Sequence, residues 1–185
     1  RNASGRNSEI PSVSDVTFTA FPDAVIVKFS KSDISLEGNP MVEWRCKAGE
    51  GKEYTSVQPV EYEDGRYAVK IDSLQSGNVA HEVQIRFESN GITGNMYRLP
   101  FMTKRQPQVT WPYIFISQSE ISKGEGIVLH VVNAAGEVRW EYNGESIDQC
   151  KDFHLYPTAG GTLKAIVTGE DGSSDIIIKE ITVKE

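Results

Sequence analysis

The chain is poor in the side chains that carry most enzymatic and metal chemistry. It holds three histidines, His81, His130 and His154, and two cysteines, Cys46 and Cys150, in 185 residues. General acid–base and nucleophilic sites draw on histidine more than on any other side chain. None of the three has a second donor at metal-site spacing, such as a His four residues on in a helix or a Cys two or three away. Each therefore reads as a packing residue, and no catalytic residue, metal ligand or cofactor is expected. The two cysteines fall in different halves, so the intradomain bridge of antibody folds is excluded. A bridge between the halves would have to meet strict distance limits. Cys46 shares parity with Val42 and Trp44 and reads as a buried, inert thiol; Cys150, in the polar run Asp148–Asp152, reads as exposed. No run of about 18 apolar residues is present, so no transmembrane helix is expected. Excess positive charge is missing too, the formal net charge being -7. Thirteen basic residues face fourteen acidic ones up to Arg105, and six face twelve after it. Phosphate backbones are held by basic patches, so the acidic second half argues against a nucleic-acid partner.

Sustained helical spacing with capping residues is also lacking, and period-two alternation takes its place. With 38% hydrophobic and 24% charged residues, the chain can build packed cores, and disorder is not the expected state. In the first half Val25, Val27 and Phe29 alternate with Ile26, Lys28 and Ser30, and Val42, Trp44 and Cys46 with Glu43, Arg45 and Lys47. The pattern returns at Tyr67, Val69 and Ile71, at Val83, Ile85 and Phe87, and at Tyr97, Leu99 and Phe101. These are half-buried strands. Asp64-Gly65 and Asn90-Gly91 between them suit the positive φ of tight type I′ hairpins.

The polar stretch Thr103 to Gln108, interrupted by Pro107, separates two strand-rich segments and reads as a linker. After it the alternation restarts: Trp111, Tyr113 and Phe115, then Ile127, Leu129 and Val131, then Val138, Trp140 and Tyr142, then Leu163, Ala165 and Val167. Asn143-Gly144 and Asp171-Gly172 supply turns. In the last strand the apolar parity changes from Ile176 and Ile178 to Ile181 and Val183, which a β-bulge at Lys179-Glu180 would accommodate. Glu43-Trp44-Arg45 and Arg139-Trp140-Glu141 form a weak internal repeat, each placing one Trp in the third strand of its half. Trp44 and Trp140 are thus the expected core anchors. The expected organisation is all-β: a disordered tail over 1–11, a β-sandwich over 12–104, a linker over 105–108 and a second β-sandwich over 109–185. Sandwiches of about 100 residues fit this length twice.

The remaining motifs are weak. Asp171-Gly172-Ser173-Ser174-Asp175 lacks the sixth-position Gly and distal Glu of a calcium loop and reads as a hairpin turn. Gly49-Glu50-Gly51 and Gly124-Glu125-Gly126 lack the strand-to-helix context of phosphate loops and read as loop tips. No Ser or Thr sits in a nucleophile elbow. Asn2-Ala3-Ser4 has glycosylation spacing but falls in the expected tail. Trp111 and Tyr113, flanking Pro112, either pack between the domains, as a short linker favours, or present a stacking surface for sugars or peptides.

Two resemblances follow from these residues. Ile71 to Gly77, the strand from His81 to Phe87 and the turn at Ser89-Asn90-Gly91 resemble the second half of a fibronectin type III domain, over about 12–103; His81 stands where that family has its corner tyrosine. Residues 109–184 resemble the immunoglobulin-like repeats of modular bacterial surface proteins, through Val138–Gly144, Gly160–Ala165 and the Glu170–Ser173 turn, with Leu163 where those repeats usually carry a Tyr. What the resemblance implies is export, and adhesion, recognition or spacing without chemistry. The expected protein is extracellular, on the cell surface or periplasmic, and binds a protein or glycan through loops or sheet faces. The alternative is a pair of accessory modules, spacer or carbohydrate-binding, of a larger exported enzyme. Arg1 to Ser8 carry no signal core, so export requires a leader outside these residues, for which a lipoprotein-type Cys would supply an anchor. Neither ligand nor oligomeric state is legible.

Overall fold

The computed structural model describes residues 9–48, 53–116 and 118–185. Asn2-Ala3-Ser4 and Gly49-Glu50-Gly51 lie outside the described residues. The chain divides between Gln106 and Pro107 into two compact units. Both are all-β, and the described residues contain eighteen strands and no helix.

The first unit comprises β1 (Val13–Ala20), β2 (Val25–Lys31), β3 (Asn39–Cys46), β4 (Thr55–Val57), β5 (Val60–Glu63), β6 (Arg66–Ile71), β7 (Ala80–Ser89), β8 (Ile92–Thr93) and β9 (Tyr97–Met102). One sheet has the order β1-β2-β6-β5, and the other β4-β3-β7, with β8 and β9 both on the free side of β7. Lettered along the chain, this is ABED facing C′CFG, an immunoglobulin-type sandwich with one added edge strand. Its core is built from the alternating residues: Val25, Val27 and Phe29 on β2, Val42 on β3, Val83, Ile85 and Phe87 on β7, and Leu99 and Phe101 on β9 are all buried. Phe29, Tyr67 and Phe87 meet with ring centroids 5.5 to 5.9 Å apart, the tilted and offset packing that aromatic quadrupoles favour.

Three expectations change here. Ile10 and Pro11 are buried, Ile10 within the core cluster, so ordered chain begins inside the expected tail: an isoleucine that can reach an apolar core gains more from burial than from a free end. Trp44 is only half-buried and packs at the core's rim. Asn90 and Gly91 both take positive φ, 52° and 77°, as a type I′ turn requires, but at Asp64-Gly65 only Gly65 does, at 73°. There the pairing of β5 with β6 shifts between Glu61 and Glu63, so a bulge takes up the twist that a tight I′ turn would have supplied.

The second unit comprises β10 (Tyr113–Ile114), β11 (Glu120–Ser122), β12 (Ile127–Val128), β13 (Val131–Val132), β14 (Glu137–Tyr142), β15 (Glu145–Ser146), β16 (His154–Leu155), β17 (Gly161–Thr168) and β18 (Ser174–Lys184). One face is the five-stranded sheet β11-β18-β17-β14-β15, with β11 parallel to β18. The other layer is thin, β10 pairing β13 and β12 pairing β16. Between them lie Ile114, Ile121, Ile127, Leu129, Val131, Trp140, Leu155, Leu163, Ala165, Val167 and Ile181.

Asn143-Gly144 forms a type I′ turn with φ of 52° and 82°. Asp171-Gly172 instead belongs to the longer loop between Thr168 and Ser174. Two parity expectations are overturned. Ile114, with Ile116, faces the core in place of Tyr113 and Phe115, which stay half-buried; aromatic alternation marked the other side of the strand. The bulge in β18 is absent: its ladder with β17 runs from Gly161↔Ile181 to Thr168↔Ser174 without a shift. Ile177, Ile181 and Val183 therefore share the inner face, and Ile176 and Ile178 point outward, 61% and 55% exposed.

Candidate recognition surfaces

The side chains capable of chemistry are mostly committed to the fold. His81, on β7, is fully buried. Its Nδ1 lies 3.0 Å from the Val79 carbonyl, so Nδ1–H donates and the proton sits there. The ring stacks on Phe101 at 5.4 Å and 16°, and Nε2 is buried with no hydrogen-bond partner among the described residues. Burial pushes its pKa below the usual imidazole value, against the pull of the Val79 carbonyl. The backbone of the neighbouring corner is held by Thr103, whose hydroxyl donates to Gln75 O at 3.1 Å and accepts from Val79 N–H at 3.0 Å. A histidine and a threonine thus divide the work that a corner tyrosine performs in related sandwiches. Thr103 gave no sequence signal of this, standing in what reads as linker-bordering polar chain.

His130 is buried between β12 and β13. His154, half-buried on β16, has its Nδ1 2.7 Å from the Asp152 carbonyl and its ring against Tyr156 at 6.1 Å. The Tyr156 hydroxyl donates to the Asp152 carboxylate at 2.7 Å. Among the described residues no three His, Cys, Asp or Glu side chains gather as a metal set. Both cysteines are free thiols. Cys46, half-buried rather than fully buried, donates its S–H to Gln75 Oε1 at 3.0 Å. Cys150 is not exposed as expected: it packs against the second core, and burial, with Asp152 and Asp148 nearby, pushes its pKa up. A thiol so held stays protonated and unreactive. The Asp171 carboxylate accepts from Ser173 N–H and Oγ–H at 3.0 and 2.6 Å, which makes it a turn-stabilising group. A crevice beside Ile116, Ile121 and Ile127 offers about 20 Å³, room for one water.

Two sheet faces remain. On the outer face of the first unit, Glu82 of β7 is nearly buried. One oxygen accepts from the Tyr54 hydroxyl and lies 3.3 Å from Arg45 and 3.8 Å from Arg98. The Arg45 guanidinium covers the Tyr54 ring at 4.8 Å. Beside them Arg86 holds Glu43 at 2.7 Å and Glu88 at 2.8 Å. Arg45 and Arg98 lie against Glu82, and Arg86 against Glu43 and Glu88, so the arginines and glutamates of this face are engaged with one another.

The outer face of the second unit differs. Ile176 stands directly across from Ile166, and Ile178 across from Lys164. Three isoleucines therefore share a solvent-facing surface, rimmed by Arg139, Glu141 and Lys164. Of the sequence-derived candidates, Trp111 is 63% exposed and Tyr113 half-buried on β10; the Asn133 amide donates to the Val109 and Trp111 carbonyls at 3.1 and 3.3 Å. Trp140 is buried in the core as an anchor. The isoleucine face was missed because parity alone assigned Ile176 and Ile178 to the core.

Solved structures that resemble the chain include immunoglobulin-like and fibronectin type III tandems. A two-domain fibronectin type III segment of chicken tenascin covers 92% of this chain and 99% of its own, at 8% identity and a TM-score of 0.41. The N-terminal Ig1-2 module of the Drosophila receptor protein tyrosine phosphatase DLAR covers 95% and 100%, at 13% identity and a TM-score of 0.33. A computer-redesigned β-sandwich protein covers 51% and 96%, at 14% identity and a TM-score of 0.42. No protein-family model matches the chain, and no curated protein matches it in sequence.

Proposed function

We propose that the chain is a non-enzymatic recognition module of an exported protein, and that its second unit contacts a protein partner through the outer face of the sheet β11-β18-β17-β14-β15. The observation that carries this is the exposure of Ile176 and Ile178 beside Ile166. Contiguous apolar residues on a sheet surface, rimmed by charge, are the usual mark of a protein contact. Aliphatic side chains suit a protein partner better than a glycan, which is gripped mainly by aromatic and polar groups. The non-enzymatic part is supported by the packing roles of His81, His154, Cys46 and Cys150. The exported part is supported by the sequence resemblance to bacterial surface modules.

The test is surface binding of the intact chain to protein and glycan panels, beside the double variant Ile176→Thr/Ile178→Thr. Binding to a protein that disappears in the variant, with an unchanged circular dichroism spectrum, supports the reading. Binding that survives moves the contact off this face. A folded chain that stays at background on both panels is a spacer, and turnover of a glycan, peptide or ester substrate by the purified chain overturns the non-enzymatic reading.

A further inference from the structure

Beyond that face, β18 has an open edge. It pairs with β17 along one side, but on the other β11 covers only Thr182 to Lys184. From Ser174 to Lys179 no strand among the described residues is hydrogen-bonded to that side, although β10, which pairs β13 in the other layer, comes close to β18. Which residues present backbone there follows from the hydrogen bonds further on. Thr182 N–H donates to Ser119 O and Lys184 O accepts from Lys123 N–H, both at 2.9 Å and both away from β17. The ladder has no register shift back to Ser174, and antiparallel strands alternate the side to which each residue turns its N–H and C=O. Ile176 and Ile178 therefore turn theirs toward the open edge.

Unpaired edges are commonly guarded by inward-pointing charges, and Asp175 and Lys179 sit at such positions. Their signs make them something else. They stand two residues either side of Ile177 in Asp175-Ile176-Ile177-Ile178-Lys179, and among the described residues neither side chain has an ion-pair or hydrogen-bond partner, while both main chains are laddered to β17. A lone lysine or a pair of like charges would repel a second copy. This segment is complementary to itself read backwards.

We infer that the open edge of β18 is a self-association surface, at which two copies of the chain pair antiparallel about an axis through Ile177. In that register Asp175 lies opposite Lys179 of the second copy, and Lys179 opposite Asp175 of the second copy. Ile176 and Ile178 fall opposite each other as hydrogen-bonded pairs, each exchanging both main-chain bonds. No like charges meet, since Ser174 faces Glu180. The contact is isologous and closed, and its ladder cannot extend past Glu180 because β11 covers Thr182. The outward isoleucines of both copies become one stripe. Asp175 and Lys179 play no part in the recognition reading above, so the two stand or fall separately.

Sedimentation equilibrium of the whole chain over a concentration series tests this. A monomer–dimer equilibrium is expected for the natural sequence. Lys179→Asp or Asp175→Lys alone places like charges opposite at both symmetry-related positions and should weaken association about tenfold or more. The combined Asp175→Lys/Lys179→Asp variant restores complementarity and should recover to within about threefold. Ile178→Pro removes an N–H that faces the edge and not β17, and should abolish the dimer while circular dichroism stays unchanged. A chain monomeric at every concentration, single variants that associate like the natural sequence, or a combined variant without recovery overturns the inference.

Discussion

The Tyr54 hydroxyl donates to the Glu82 carboxylate, beneath the guanidinium of Arg45. The bond holds the Glu82 carboxyl below the usual carboxylate range, with Arg45 and Arg98 adding to the effect, and pushes the Tyr54 phenol up. A carboxylate depressed in the folded state contributes stability that is complete above its unfolded value of about 4.3 and is lost as pH falls through the folded value. Tyr54→Phe removes the largest cause. The Glu82 carboxyl, followed by carbon-detected NMR titration, should then titrate at higher pH than in the natural chain; an unchanged midpoint would show that the arginines alone set it.

His81 lies flat against Phe101, with its Nε2 buried and without a hydrogen-bond partner among the described residues, so the folded state resists its protonation. Its pKa is depressed on folding. Above about pH 6.5 both states are neutral there and the contribution is complete; as pH falls below that, the unfolded chain takes up a proton that the folded chain refuses, and stability is lost. His81→Phe keeps the ring stack and removes the titration. In urea unfolding between pH 8 and 5, the natural chain should lose stability relative to the variant from about 6.5 downward, by at most about 1.4 kcal/mol per pH unit. Parallel profiles would mean that His81 protonates freely in the folded state.

The two tryptophans of the internal repeat are not equivalent. Trp140 is buried within the second core, and the hairpin around it is tied by Asp148, which accepts from Trp140 N–H at 2.8 Å and from Ser146 Oγ–H at 3.0 Å. Trp44 is half-buried at the edge of the first core, 6.3 Å from His81. Trp140→Ala should cost about 3 to 5 kcal/mol, the range for a core tryptophan, and Trp44→Ala distinctly less, since part of its surface is already in water. Chemical denaturation of the two variants against the natural chain decides it; equal costs would place Trp44 in the core after all.

The fold was legible wherever apolar alternation ran unbroken. The strands carrying Val25 to Phe29, Val83 to Phe87 and Leu163 to Val167 turn those residues inward as the pattern implies, and the all-β sandwiches follow from them. Ile26, however, alternating with Val25 and Val27 and so expected on the open side of a half-buried strand, is buried as well. Legibility failed where something other than parity placed the side chain. Strand β1 went unnoticed because a bulge interrupts it: Asp15 has a φ of 52° and the pairing with β2 shifts between Ser14 and Thr17, so Val13 and Val16 share a face three residues apart. Near Trp111, the aromatic residues alternate on the half-exposed side, since large apolar side chains are not confined to interiors. The same one-way rule hid the candidate contact face. Three successive isoleucines carry no parity of their own, and only the ladder with β17 says which one turns inward.

That ladder makes the sharpest demand on β18. Had a bulge at Lys179-Glu180 carried the parity change, Ile176 and Ile178 would face the core, and replacing both by threonine would cost several kcal/mol. With the continuous register they lie outside, and threonine is itself a good strand former. Ile176→Thr/Ile178→Thr should therefore change stability by no more than about 1 kcal/mol. Ile181→Ala, which empties a buried position, should cost about 2 to 5 kcal/mol. Urea unfolding of both variants, with the slope checked for constancy, separates the two arrangements, because a bulge predicts a large loss for the double threonine variant and a continuous strand predicts almost none.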